Sequence, residues 1–142
     1  MKRFKFNLEK VLDLRKIKEE ECKIALGAAI GALNIIENKI KETVLKHHNA
    51  ARERFTNSGD MASWDIYILR LEQEAVKLTE QAAKAQIAVD QKRELYLEAS
   101  KNLKAIEKLK EKRKTEYRSE MLISQMNEVD DITAARLIAD RL

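Results

Sequence analysis

The sequence predicts an all-α chain folded as one long antiparallel coiled-coil hairpin of two helices. Three observations predict it: the 142 residues include no proline, apolar residues repeat at heptad spacing in both halves, and one short polar break separates the halves. Proline interrupts a helix, so its absence is compatible with helices of unusual length. Charged residues make up 37% of the chain and aromatic residues only 5%, which indicates a thin seam rather than a thick globular core.

The second half of the chain carries the clearer heptad repeat. Fourteen positions are spaced alternately three and four residues apart, and only Lys92 among them is not apolar. An unbroken repeat of 3.5 residues is typical of the seam of a left-handed coiled coil. The positions are Met61, Trp64, Ile68, Leu71, Ala75, Leu78, Ala82, Ala85, Val89, Lys92, Tyr96, Ala99, Leu103 and Ile106.

The first half repeats the spacing with more polar residues. We expect Arg15 and Glu19, which fall on its seam, to fix the register of pairing. Cys22 is the only cysteine, so no intrachain disulfide can form, and a buried packing role in a reducing compartment is expected. The seam positions are Leu8, Leu12, Arg15, Glu19, Cys22, Leu26, Ala29, Leu33, Ile36, Ile40, Thr43, His47, Ala50 and Arg54.

The break between the halves is Asn57-Ser58-Gly59-Asp60. Gly59 suits the end of one helix, and Ser58 or Asp60 can cap the next. The sequence therefore predicts a single domain, 1–142, with helix 1 at about 6–57, a loop at 58–60, helix 2 at about 61–127 and a tail at 128–142. Because so short a loop makes the helices antiparallel neighbours, residue i should face roughly residue 118 minus i.

This register places a run of small residues opposite the alanine-rich stretch 82–89. The run contains Gly27, Ala28, Ala29 and Gly31. Small side chains on both helices would permit close backbone approach, which predicts a narrow waist, with a functional flex point as the alternative.

The end of the chain is acidic. Residues 119–142 hold five carboxylates against Arg136 and Arg141. Asp130 or Asp131 is placed to cap a short C-terminal helix, because apolar residues recur at helical spacing from Ile132 onward. With no second helix to pair with, this tail is expected to be either frayed or a docking helix.

Basic residues gather at the opposite end from the loop. Antiparallel folding would bring together fourteen Lys and Arg residues from both ends of the chain, and five carboxylates offset them. The pattern fits either a solvated face or a surface that docks on an acidic partner. The fourteen are Lys2, Arg3, Lys5, Lys10, Arg15, Lys16, Lys18, Lys104, Lys108, Lys110, Lys112, Arg113, Lys114 and Arg118.

Several classes of function are disfavoured. The sequence contains no zinc-finger spacing, no aromatic RNA-binding motif and no glycine-rich phosphate loop, which disfavours nucleic-acid binding. His47 and His48 are adjacent, so on a helix they point about 100° apart and cannot share a metal. The most apolar stretch, 25–36, is shorter than the roughly 20 residues that a membrane span needs. We therefore expect a cytoplasmic protein with no catalytic site, cofactor, metal or membrane insertion.

Aromatic and large apolar residues collect beside the loop. Aromatic side chains there can cap the coiled coil or anchor a partner, and both readings stay open. Tyr67, one position off the seam, is the better candidate for an exposed anchor. The group is His47, Phe55, Met61, Trp64, Tyr67, Ile68 and Leu71.

The first residues carry a family resemblance. Residues 4–15 read FKFNLEKVLDLR, which resembles the F-x-F-x-L-x-x-V-L-x-x-R start of the FliJ proteins of bacterial flagellar type III export. The layout is also similar to that family: a two-helix coiled coil, a short loop followed by Trp64, and a basic stretch before a tail with Asp130 and Asp131.

The resemblance implies a non-catalytic export component similar to the central stalk of rotary ATPases. Such proteins insert the end formed by both termini into the hexameric ring of the export ATPase, promote its assembly and activity, contact the cytoplasmic domain of the export gate and handle export chaperones. They are cytoplasmic and peripheral at the membrane-embedded apparatus. A generic coiled-coil scaffold or chaperone that binds partner helices is the alternative.

The resemblance also implies two sets of contact residues. The ATPase-docking residues would be Arg3, Lys5, Arg15, Lys108, Lys112 and Arg113. The export-gate contacts would be Val44, His47, Tyr67 and Leu71. In this chain, residues 44–48 lack the aromatic side chains that the family often has there.

Overall fold

The computed structural model describes residues 3–56 and 60–141, and in these residues it has two α-helices and no strand. Helix α1 spans Glu9–Thr56 and helix α2 spans Met61–Arg141. The two helices pack against each other, which confirms the predicted all-α hairpin. Most of the predicted loop, together with Lys2 and Leu142, lies outside the described residues.

Helix α1 begins three residues later than the sequence suggested. Residues 7 and 8 form a turn, and the Glu9 amide donates to the Phe6 carbonyl oxygen at 3.2 Å. The regular ladder then starts as the Leu12 amide donates to the Leu8 carbonyl oxygen at 2.9 Å. Residues 3–6 are therefore a separate segment that enters the helix through a turn.

Asp60 caps the start of α2. Its Oδ1 accepts from the Ala62 amide at 3.1 Å and the Ser63 amide at 3.4 Å, and the Ser63 hydroxyl donates to Oδ2 at 2.7 Å. The hydroxyl and amide of Ser63 favour the charged carboxylate, so they lower the pKa of Asp60. Asp60 thus satisfies the first amides of the helix, which otherwise have no partner. The other candidate cap, Ser58, lies outside the described residues, as does Gly59.

The predicted end of helix 2 near residue 127 was wrong, because α2 continues without interruption to Arg141. No Pro or Gly follows residue 59, and once a helix is under way each added residue gains a hydrogen bond at little extra cost. Asp130 and Asp131 lie inside the helix rather than capping a separate one. The tail is thus an extension of α2.

The chain divides into two units, each built from part of α1 and part of α2. Unit 1 comprises Met1–Ile17 and Ser100–Leu142, and unit 2 comprises Lys18–Ala99. In unit 2, the buried residues are all predicted seam positions: Cys22, Leu33, Thr43, Ala50, Leu71, Leu78, Val89 and Ala99.

Polar contacts across unit 2 confirm the predicted register. His47 Nε2 lies 3.1 Å from Glu72 Oε1, and Arg54 Nε lies 2.6 Å from Asp65 Oδ1. The residue numbers in each pair total 119, within one of the expected value. Thr43, the one buried polar residue among those described, donates its hydroxyl to the Lys39 carbonyl oxygen at 2.9 Å.

The glycines do not make the predicted close approach between the helices. A Cβ atom built on Gly27 or Gly31 would meet no atom within 4 Å. The prediction was wrong for these residues because the seam here is formed by Leu26, Ala29 and Leu33, and the glycines occupy positions off it. Neither glycine is needed for the packing of α1 on α2.

The core of unit 1 includes residues from before α1. Phe6, Leu12 and Ile106 are buried together. Partly buried side chains surround them, namely Phe4, Leu8, Val11, Leu103 and Leu109.

Candidate docking surfaces

The segment before α1 has an inner and an outer side. Phe4 and Phe6 point inward, whereas Arg3 and Lys5 are exposed. Such alternation is the period of an extended chain, in which successive side chains point to opposite sides. Sequence reasoning used the two phenylalanines as a family signature and missed their packing role, although their spacing of two residues signalled it.

These two phenylalanines extend the packing beyond the apolar seam. The guanidinium carbon of Arg113 lies 6.0 Å from the centre of the Phe6 ring, and the Phe4 and Tyr117 rings are 5.6 Å apart. The apolar seam identified in the sequence has Ile106 as its last position. The aromatic segment instead covers α2 as far as Tyr117.

Unit 1 carries a strongly basic surface, defined here as residues 3–17 and 100–118. The first stretch holds five Lys or Arg residues against two carboxylates, and the second holds eight against three. Lys110 Nζ lies 2.9 Å from Glu9 Oε2, so one of these cations is neutralised across the two helices. The remaining excess produces a positive field that attracts an acidic surface.

The six predicted ATPase-docking residues all lie in unit 1, but their environments differ. Arg3, Lys5, Lys108 and Lys112 are exposed. Arg15 is half-buried and donates from Nη1 to the Asn102 carbonyl oxygen at 2.9 Å. Arg113 is exposed like the first four, but its guanidinium also lies over the Phe6 ring. Arg15 and Arg113 therefore also contribute to the packing of unit 1.

The extension of α2 differs from this basic surface in both charge and polarity. Residues 119–141 carry five carboxylates and two arginines. Several large apolar side chains are exposed on it: Leu122, Ile123, Met126, Val129, Ile132, Leu137 and Ile138.

The predicted export-gate residues do not form one surface. Val44 is exposed and lies one helical turn from His47, which contacts Glu72. Tyr67 precedes Glu72 by five residues and therefore projects about 140° away from it around α2. Leu71 is only 4% exposed, so its side chain supports the coiled coil instead of facing solvent.

Tyr67 instead belongs to an aromatic pair beside the loop. Its ring lies 6.2 Å from the Trp64 ring, edge to face, and both side chains line an open depression with Ser63. Trp64 is half-buried and Tyr67 is exposed. Trp64 therefore packs at the seam and Tyr67 faces outward, and the role of Tyr67 as an anchor for a partner stays a prediction.

The described part of the chain was compared with the requirements of a metal site and of a membrane-spanning helix. Residues 3–56 and 60–141 contain no group of three or more His, Cys, Asp or Glu side chains placed to hold a metal ion. In the same residues, neither helix is apolar enough over a sufficient length to cross a membrane.

Comparison with known families decides the assignment. The family described as "Flagellar FliJ protein" matches residues 4–141, nearly the whole chain. The chain belongs to the FliJ family. It is therefore associated with flagellar type III protein export, in a family whose members are non-enzymatic components of that process. A search of curated proteins and a search of solved structures each found no match.

Proposed function

We propose that this FliJ protein is a stalk-like component that docks unit 1 into the ring of the flagellar export ATPase and promotes its assembly and activity. The observation that carries the proposal is the basic surface of unit 1. Exposed like charges at this density repel one another, and an acidic partner surface relieves that repulsion and steers association.

Four side chains are the leading contacts. Arg3 and Lys5 project from the outer side of the aromatic segment, and Lys108 and Lys112 project from α2. Phe4 and Phe6 fix the segment against α2. The two pairs of cations are thus presented from a packed surface, so little backbone order must be gained on binding.

The experiment measures ATP hydrolysis by the export ATPase of the same organism, with and without the FliJ protein. We expect stimulation that falls with added salt, because exposed charge pairs are screened. The variant Lys108→Glu/Lys112→Glu should lose stimulation and weaken binding at least about tenfold. Arg113 is left unchanged because of its contact with Phe6.

A matched control is available on the same helix. Lys77 and Lys84 are exposed residues of α2 in unit 2 and lie off the seam. The variant Lys77→Glu/Lys84→Glu makes the same change in net charge and should keep full stimulation. Both variants should retain the circular-dichroism signal of the wild type. Equal loss in the two variants would show that net charge, and not the basic surface, governs the effect.

The contacts with the export gate and with export chaperones are a further part of this proposal. The face of α1 that bears Val44 and His47 and the aromatic face that bears Tyr67 are separate candidates for these two partners. Val44→Asp and Tyr67→Ala, each measured for binding to the gate's cytoplasmic domain and to a chaperone, assign the faces. Leu71 is omitted from this experiment because its burial makes any substitution a test of folding.

One observation favours the alternative, a scaffold that binds partner helices. The extension of α2 exposes apolar side chains from Leu122 to Ile138, along more than four turns, and Leu122, Met126 and Val129 line one side of it. Deleting residues 119–142 separates the two functions. ATPase stimulation should largely survive the deletion, whereas capture of an amphipathic partner helix through this extension should be lost.

A further inference from the structure

The outer face of α1 in unit 2 carries a second heptad stripe that the hairpin does not use. Ile24, Ala28, Gly31 and Ile35 are spaced four, three and four residues apart, two positions away from the seam. Ile24 is 65% exposed and Ile35 is 58% exposed. An amphipathic helix needs one apolar stripe to pack, so the second stripe has no role in the contact with α2.

The two glycines belong to this outer face. A Cβ on Gly27 or Gly31 would meet nothing, so the hairpin does not require either glycine. Each nevertheless weakens the helix by about 1 kcal/mol relative to alanine. Small residues between two isoleucines leave a saddle into which a second helix can settle with close backbone approach.

The spacing of the stripe identifies its occupant. Large, small, small and large residues separated by four, three and four positions read the same in both directions. A second copy of α1 running antiparallel would therefore place Ile24 beside Ile35 of the other copy, and Ala28 beside Gly31. Such self-complementarity is what a twofold symmetric interface demands.

The charges that flank the stripe favour the same orientation. Glu20 and Glu21 lie at one end, and Asn38 and Lys39 lie at the other, all exposed. In an antiparallel pair, residue i of one copy is level with residue 59 minus i of the other, so the end of each copy that bears Glu20 and Glu21 meets the end of the other that bears Asn38 and Lys39. A parallel pair would instead bring the two acidic ends together, and that contact is repulsive.

From these observations we infer that the chain forms an antiparallel homodimer through this outer face of α1, with the twofold axis between residues 29 and 30. The face from residue 20 to residue 39 is about 30 Å long. One helix face of this length is a small contact, so we expect a weak dimer that forms at high protein concentration. The inference does not depend on the docking of unit 1 proposed above.

Sedimentation equilibrium of the full chain, from about 1 µM to about 500 µM, tests the inference. The wild-type chain should pass from one to two copies across this range. Ile24→Asp should weaken association at least about 100-fold, because the symmetric contact loses two buried isoleucines and gains two charges. A chain that stays monomeric throughout would overturn the inference.

The matched control is Ile87→Asp. Ile87 lies on α2 of the same unit and is 58% exposed, the same as Ile35. Ile87→Asp should dimerise like the wild type, whereas Ile35→Asp should not. Equal loss in both variants, or loss only in Ile87→Asp, would place the interface elsewhere.

A further variant separates weakened association from weakened folding. Gly31→Leu adds a side chain where the free chain has open space, so the monomer should melt at the same or a higher temperature. The same side chain fills the saddle and should weaken dimerisation at least about tenfold. A dimer unaffected by Gly31→Leu would refute the close approach.

The orientation has its own test. Glu21→Lys should weaken the dimer, and adding Lys39→Glu should restore most of the loss. If Glu21→Lys alone strengthens association, or if the second change gives no recovery, the antiparallel arrangement is wrong.

Discussion

The most direct test of the coiled-coil seam compares two leucines on the same turn of α1. Leu12 is 2% exposed and packs with Phe6 and Ile106, whereas Leu14 is 66% exposed. Each is replaced by alanine, so that the chemical change is identical and only the environment differs. The free energy of unfolding is measured by urea denaturation followed by circular dichroism at the helical band.

The structure sets the expected size of each effect. Leu→Ala removes three carbon atoms, and at about 0.8 kcal/mol per buried carbon this costs about 2.4 kcal/mol at a fully buried site. The cavity adds to this, so Leu12→Ala should lose about 2–4 kcal/mol. Leu14 is only about one-third buried, and alanine is a slightly better helix former, so Leu14→Ala should lose about 0.5 kcal/mol. Equal losses at the two positions would refute the register of the seam.

Three further predictions test smaller parts of the molecule. Phe6→Ala should release the segment before α1. Amide hydrogen exchange at Glu9 should then become faster, while the amides of α2 stay protected. Unchanged exchange at Glu9 would mean that Phe6 does not anchor the segment. The pKa of Asp60 should lie below its ordinary value of 3.8 and should rise in the variant Ser63→Ala. Carbon NMR of the carboxyl group measures this pKa. If it does not rise, the Ser63 contacts are not the cause of the lowered pKa. The stabilisation by this cap should therefore be complete above that ordinary value and be lost as the pH falls through the lower folded-state pKa. The buried Cys22 thiol should react with a thiol reagent at least about tenfold more slowly in the folded chain than in urea, and equal rates would contradict its burial.

Much of the fold follows from periodicity that is visible in the sequence. The alternating three- and four-residue spacing predicted every buried residue of unit 2, because a coiled-coil seam needs only a regular stripe and a partner stripe. The short polar break predicted antiparallel pairing, and the contacts of His47 with Glu72 and of Arg54 with Asp65 confirm the register within one residue.

The limits of sequence reasoning appear where a residue has more than one admissible role. Asp130 and Asp131 can cap a helix or sit on its exposed side, and nothing local decides between these outcomes. The glycines illustrate the same limit. Their small size suggested a close approach to α2, but Gly27 and Gly31 lie one and two positions past the seam residues Leu26 and Ala29, which turns them about 100° and 200° around the helix, away from the seam.

The candidate surfaces show the same division. Sequence alone determined that basic residues cluster near both ends of the chain and that aromatic residues gather beside the loop. Only the tertiary structure showed that Arg15 and Arg113 have packing contacts while Lys108 and Lys112 face solvent.

The sequence by itself thus determined the helical hairpin, its register and its charge distribution, because these depend on spacing along the chain. The tertiary structure decided which side chains the pairing leaves exposed. It covered α2 with Phe4 and Phe6 and left Ile24 and Ile35 facing outward. The physical reason is that burial depends on the second helix as well as on the first, and a single stripe cannot report what lies opposite it.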